Sequence, residues 1–165
     1  RQRRLGHRVS AVLEQHSGIV TYEQRYWPQV LKLAREMHAE SVMRDIPLAE
    51  EKLRAQMAMA HLNPNIYLRL WVRGEEVIGG LYGFIGELYW TEESTAGDRA
   101  WFVTAGRRGG IAAVRLLLDF EAWAKAKGIR WVMPGQTTGV RMDETRRLFE
   151  NCGYAVRGAN FIKRI

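Results

Sequence analysis

The stretch from Trp101 to Ala113, W-F-V-T-A-G-R-R-G-G-I-A-A, leads an apolar strand-like run into a basic, glycine-rich turn and then into a helical run. Free N–H groups at a helix start, with the helix dipole behind them, make a site for phosphate. Gly109 and Gly110 let the backbone approach an anion with no Cβ in the way. Arg107 and Arg108 add charge to neutralise it, and Ala112 and Ala113 keep the first helical turn thin. This is not a P-loop, because no Gly-Lys-Ser/Thr follows the glycines, nor is it the Gly-x-Gly-x-x-Gly dinucleotide fingerprint. A second candidate is Glu87, set inside F-I-G-E-L-Y-W. A carboxylate there stands either at a strand's solvent face or in a cleft that raises its pKa, which suits a base. Tyr82, Tyr89, Trp90 and Trp101 either line a pocket or pack in the core.

The elements that must hold this turn follow from hydrophobic periodicity. Ile19–Thr21 reads as a short strand, Tyr26–Glu40 and Ala49–His61 as helices, and Ile66–Val72 as an alternating strand. Val77–Tyr89 reads as a central strand whose Gly79, Gly80, Gly83 and Gly86 imply close backbone approach or a bend. Thr91–Asp98 reads as a polar loop and Ala100–Thr104 as a short buried strand. A strong helix follows over Ile111–Lys127, with an inward stripe of Val114, Leu117, Leu118, Glu121 and Ala122 beside Trp123. Ile129–Met133 is a strand, Asp143–Asn151 a helix with Leu148 and Phe149 inward, and Tyr154–Val156 with Phe161–Ile162 a closing hairpin. Alternation of this kind predicts an α/β domain on a mixed sheet.

The 165 residues predict one domain, with residues 19–165 as its body and 1–18 as a basic extension. In that extension Arg1, Arg3, Arg4 and Arg8 accompany Leu5, Val9, Val12 and Leu13 at helical spacing, as in a solvated helix resting on the domain or on a second copy. The first residue is Arg1 and not Met, as a processed start would be. One cysteine, Cys152, excludes an internal disulfide and a Cys-based metal site, and no metal is expected. The lone thiol fits a reducing compartment. No apolar run approaches the roughly 18 residues of a membrane helix. The net charge of +7, from 25 Lys and Arg against 18 Asp and Glu, favours an anionic partner, either nucleic acid or a phosphate-rich cofactor.

Arg107, Gly110 and Ala112 match the pattern Arg/Gln-x-x-Gly-x-Gly/Ala, and Leu148-Phe149-Glu-Asn-Cys-Gly153-Tyr154 looks like an L-Y-x-x-x-G-F ending. With the element order, these residues resemble the GNAT superfamily of acyl-CoA-dependent N-acyltransferases over roughly residues 19 to 165. The segments M-H-A-E-S at 37–41, R-G-G at 108–110 and T-T-G-V at 137–140 are also similar to short acetyltransferases of tailed bacteriophages. The resemblance implies a mainly antiparallel mixed sheet flanked by helices, acetyl-CoA as cosubstrate, and direct attack of a primary amine on the thioester. Phe102, Val103 and Thr104 would offer backbone groups to the pantetheine arm. An N–H near Phe102 or Val103 would polarise the thioester carbonyl, and the pyrophosphate would sit on Arg107, Arg108, Gly109, Gly110, Ile111, Ala112 and Ala113. His38 and Glu40, at the end of the first helix, would face the acceptor as bases, or be ordinary polar residues at a helix terminus.

Two residues depart from the family pattern. Phe149 stands where the family often has a tyrosine that protonates the departing thiolate, and Met142 stands where it often has an asparagine. A catalytically silent binding module, a phage virion or nucleic-acid-associated component, is therefore the rival expectation. The acceptor is left open between a small-molecule and a macromolecular amine, nucleic acid included. A homodimer is allowed, no membrane partner is expected, and a cytoplasmic location in a bacterial or phage-infected cell is implied.

Overall fold

The structure, a computed structural model, describes residues 17–164. The arginine cluster at 1–8 and the apolar spacing over 5–13 lie outside the described residues. The elements are β1 Ser17–Thr21, α1 Trp27–Glu40, α2 Glu50–Ala60, β2 Ile66–Arg73, β3 Glu76–Glu87, β4 Ser94–Val103, α3 Ala112–Ala126, β5 Trp131–Val132 and α4 Met142–Asn151. The strands form one sheet in the order β1-β2-β3-β4-β5, antiparallel except for the parallel pairing of β4 with β5. This is the mixed sheet that the alternation predicted, with the mainly antiparallel pairing that the resemblance implied.

Alternation along β2 sorts the two faces of the sheet. Leu68, Leu70 and Val72 meet Val30 and Leu33 of α1 and Met57 and Ala60 of α2. Tyr67 points the other way, into a cluster with Leu81, Ala96, Leu116, Phe120 and Ala124. Burying side chains such as Leu116, Leu117 and Phe120 contributes about 1.5–3 kcal/mol each. Asp119 of α3 accepts the Tyr67 hydroxyl at 2.7 Å and the Arg69 guanidinium at 2.6 Å, which fixes the helix against β2. The β3 glycines do what their density implied. A Cβ on Gly79 would lie 2.8 Å from the Phe102 carbonyl oxygen, and one on Gly83 would collide with the Phe120 ring.

Four expectations are corrected. The strand expected at Ala100–Thr104 begins at Ser94, because the long β3 pairs with it along most of its length and draws the polar residues 94–98 into the ladder. The buried stripe of α3 is Ala112, Leu116, Leu117, Phe120 and Ala124. Three consecutive leucines at 116–118 leave the helical phase ambiguous, and packing of Phe120 on Gly83 decides it, turning Leu118 and Ala122 outward. The strand expected over Ile129–Met133 shortens to Trp131–Val132, which pairs only with Thr95 and Ala96. No strand follows Val132 among the described residues, so the closing hairpin does not form. Its apolar residues find no face to cover, and Phe161 is 95% exposed. No helix among the described residues is long and apolar enough to cross a membrane.

Candidate active site

β4 and β5 run side by side through Thr95–Trp131 and Ala96–Val132, and Met133 N–H still reaches the Ala96 carbonyl at 2.7 Å. Beyond that point they part, and a cleft of about 320 Å³ opens between β4, the turn after it, the loop 135–140 and the start of α4. A β-bulge creates the parting. Gly83 opposes Asp98 and Tyr82 opposes Ala100, so Arg99 is the extra residue. The bulge reverses which backbone groups face outward. Ala96 points its carbonyl toward β5, whereas Thr104 gives its N–H to Ile78 of β3 at 2.9 Å. By strand alternation Phe102 also faces β3, and Trp101 and Val103 present their backbone to the cleft.

At its lower end the cleft meets the glycine-rich turn. Gly109 has φ +83°, a conformation that favours glycine, and no atom lies within 4 Å of where its Cβ would be. The N-cap Ile111 makes no side-chain cap and the first turn of α3 holds no acid, so those N–H groups meet no carboxylate of their own helix. Ala112 packs among Ile78 and Val103, which brings the helix start close to β4. The two arginines differ. Arg108 is 17% exposed, pairs with Glu40 at 2.6 Å, donates to the Val103 carbonyl at 2.9 Å and lies over the Phe102 ring. Arg107 is 43% exposed and reaches Glu76 only at 3.5 Å, so it is the more available cation. Glu36 of α1 accepts the Thr104 hydroxyl at 2.8 Å and the Ala105 N–H at 2.7 Å, bracing the turn from below.

At the upper end stands Asp98. Its carboxylate accepts the Gly135 N–H at 2.6 Å, taking the place of the next backbone rung as the strands separate. Burial pushes its pKa above the ordinary aspartate value, and the Gly135 N–H pulls back more weakly. Beside it Arg99 rests on the rings of Tyr82 and Phe84. Arg141 caps α4 in the left-handed region, φ 47°, and holds Glu144 at 2.9 Å. Trp101 is among the cleft residues, and its indole packs on Phe149 with ring centroids 5.1 Å apart. Its Nε1 is shielded from solvent and has no hydrogen-bond partner. The Tyr154 hydroxyl donates to Glu121 at 2.7 Å, and Tyr154 itself is not among the cleft residues. Burial and that carboxylate raise its pKa.

Of the residues singled out from sequence, Phe102, Val103, Arg107, Arg108, Gly109, Gly110 and Ala113 line this cleft. Thr104 and Ala112 lie behind it, and Ile111 is turned out to solvent. The expected bases are elsewhere. Glu87 is exposed at the far end of β3, Glu40 is taken by Arg108, and His38 Nε2 lies 2.6 Å from the Ile46 carbonyl, so that nitrogen carries its proton. Of the aromatics, Tyr82 is core, Tyr89 and Trp90 are exposed, and Trp101 alone reaches the cleft. Sequence reasoning missed Asp98, whose segment read as a loop. The usable signal was the length of β3, since an antiparallel partner for so long a strand must begin well before Ala100. Arg141, Glu144 and Thr145 had no signal of their own.

No family model matches the chain, and no curated protein matches it. Solved structures do. A GNAT family acetyltransferase of Staphylococcus aureus superposes with TM-score 0.63 at 15% identity, covering 90% of this chain and 98% of that one. AAC(6')-Iy in complex with a bisubstrate analogue, CoA-S-monomethyl-acetylneamine, gives TM-score 0.70 at 13% identity, covering 92% and 100%. Ribosomal-protein-alanine N-acetyltransferase of Brucella melitensis biovar Abortus gives 0.65 at 13% identity, covering 91% and 99%. The fold is that of the GNAT acetyltransferases.

Proposed function

We propose that this chain is an acetyl-CoA-dependent N-acetyltransferase that acylates a primary amine by direct attack. The observation that carries the reading is the open outer edge of β4, which runs without interruption into an uncapped helix start. The backbone of Trp101 and Val103 would pair with the amides of the pantetheine arm. Val103 already gives its carbonyl to Arg108, so its N–H is the group left for the thioester oxygen. Gly109, Gly110, Arg107 and the first N–H groups of α3 would receive the pyrophosphate. The residues fit such a ligand, because the turn has room at Gly109 and the first turn of α3 carries neither a side-chain cap nor an acid.

Acetyl-CoA supplies the acyl group already activated as a thioester. Asp98 is the group placed to manage the amine. An amine is mostly protonated near neutrality and must lose a proton to attack. Asp98 lies in the cleft, half-buried, with its basicity raised by burial. Arg99 at the same end disfavours polycationic amines as acceptors.

The rival reading, a binding module without catalysis, draws on Phe149 and on the tying of Tyr154 to Glu121. Calorimetry with acetyl-CoA, followed by a thiol-release assay over polyamines, aminoglycosides and peptides with free α- or ε-amines, separates the two. Binding with thiol release in at least one case is expected. No binding, together with salt-dependent DNA binding, overturns the enzymatic reading.

A further inference from the structure

Four arginines lie over aromatic rings, and three of them also hold a carboxylate: Arg25 holds Glu23, Arg69 holds Asp119 and Arg108 holds Glu40. Arg99 is the fourth, with its guanidinium carbon 5.5 Å from the Tyr82 ring centre and 5.2 Å from that of Phe84. Among the described residues it forms no ion pair. The acids around the cleft are committed elsewhere. Asp98 turns to the Gly135 N–H, Glu36 to Thr104 and Ala105, Glu40 to Arg108 and Glu144 to Arg141. The rings thus give Arg99 a fixed seat and no counter-charge, while the residue stays exposed.

That seat is at the fork between β4 and β5. As the extra residue of the bulge, Arg99 joins Tyr82 and Ala100 on the face that packs toward α1 and α2. The Phe84 ring beneath it lies over Gly97, where a Cβ would meet the ring at 3.4 Å and the Met133 carbonyl oxygen at 3.6 Å. Met133 makes the last bond to β4 before the strands part. The ring that carries the guanidinium therefore reaches the upper end of the cleft, and Arg99 is among the residues lining it. An oriented, solvent-open guanidinium without a counter-charge is a receptor for an anion, and its planar fork matches a carboxylate or a phosphate. We propose that Arg99 is a specificity-determining residue that binds an anionic group of the acceptor. The acceptor is then an amine with a carboxylate or phosphate a few bonds from its nitrogen, because Asp98 and Arg99 are consecutive residues. This rests on the acetyltransferase reading and deepens it by naming the substrate class.

The test uses two matched pairs, β-alanine against β-alaninamide and phosphoethanolamine against ethanolamine. Each is titrated by calorimetry into the full chain saturated with coenzyme A, and thiol release is followed with acetyl-CoA. In at least one pair the anionic member should bind about ten- to a hundredfold more tightly, as a charge-assisted bond does. The pair with the larger ratio tells a carboxylate from a phosphate. Arg99→Met keeps an unbranched side chain over the rings and removes the charge. It should bring the two members of that pair level, and Arg99→Glu should invert the preference. Unchanged acetyl-CoA affinity in both variants shows that they are folded. Equal binding of both members of both pairs by the unaltered chain, absent binding included, overturns the proposal. A preference that survives in Arg99→Met overturns it as well. Failure of the unaltered chain to bind acetyl-CoA overturns instead the acetyltransferase reading beneath it.

Discussion

The two ends of the cleft are built from different kinds of chain. The lower end is one continuous segment, Trp101 to Ala113, and its chemistry is mostly backbone: N–H groups, glycines and a helix start. The upper end is gathered from Asp98 and Arg99 on β4, Gly135–Val140, and Arg141, Glu144 and Thr145 around α4. Its chemistry is in side chains that meet only in three dimensions. The contrast accounts for which groups are free to act. At the lower end a charged side chain is drawn into support, as Arg108 is by Glu40 and Val103. At the upper end Asp98 is held only by backbone N–H groups, that of Gly135 foremost, and keeps a raised pKa.

The sharpest way to break the lower end is Gly110→Asp. A Cβ at Gly110 meets only the Arg107 carbonyl oxygen at 3.6 Å, so the backbone tolerates a side chain there. The new carboxylate would face the pyrophosphate, and like charges in contact cost several kcal/mol. Calorimetry should show coenzyme A binding weakened by about a thousandfold or more with an unchanged circular dichroism spectrum, while Gly110→Ala binds nearly as before.

Next in size is the upper end. Asp98→Asn should lower kcat by about 10²–10⁴ with little change in coenzyme A affinity, as removal of a general base does. The acidic limb of the pH–rate profile should disappear with it.

The same substitution has a stability signature of opposite sign. Because folding raises the Asp98 pKa, the native state binds protons more readily than the unfolded chain. Its contribution is therefore fully favourable below the ordinary aspartate pKa and is lost as pH rises through the folded value. Asp98→Asn should raise the melting temperature at neutral pH, and the gain should vanish in acid. A melting temperature lowered equally at all pH values would mean that Asp98 serves the fold and not the chemistry.

Between the two ends lies the sheet, and Gly83→Ala probes it. The added methyl would strike Phe120 and cost about 1–3 kcal/mol by denaturant unfolding, with kcat per folded molecule unaltered. The smallest effect belongs to Glu87→Gln. Glu87 is exposed beyond the cleft, so activity, pH profile and stability, within about 0.5 kcal/mol, should all match the parent.

Helix and strand identities were largely legible because each depends on a short window. The alternation over Ile66–Val72 became β2, and the helical spacing over Tyr26–Glu40 and Ala49–His61 became α1 and α2. The glycine-rich turn was legible for the same reason, since a strand, a turn and a helix start are local objects. The phase of α3 was not, because Leu116, Leu117 and Leu118 are equally apolar and only the Phe120–Gly83 fit distinguishes them. The closing hairpin was misread because Val156, Phe161 and Ile162 alternate well enough for a strand, yet a strand also needs a partner edge.

By itself the amino-acid order determined the succession of elements, the two-faced sheet and the glycine-rich turn, all of which follow from propensity and periodicity within a dozen residues. Only the tertiary structure decided that Arg99 bulges out of β4, that Asp98 and not Glu87, His38 or Glu40 stands in the cleft, and that Trp101 keeps an unpartnered donor beside Phe149. Those outcomes depend on pairing register and on which distant carboxylate claims which arginine. Such choices are settled by competition among contacts far apart in the chain, and no local window contains them.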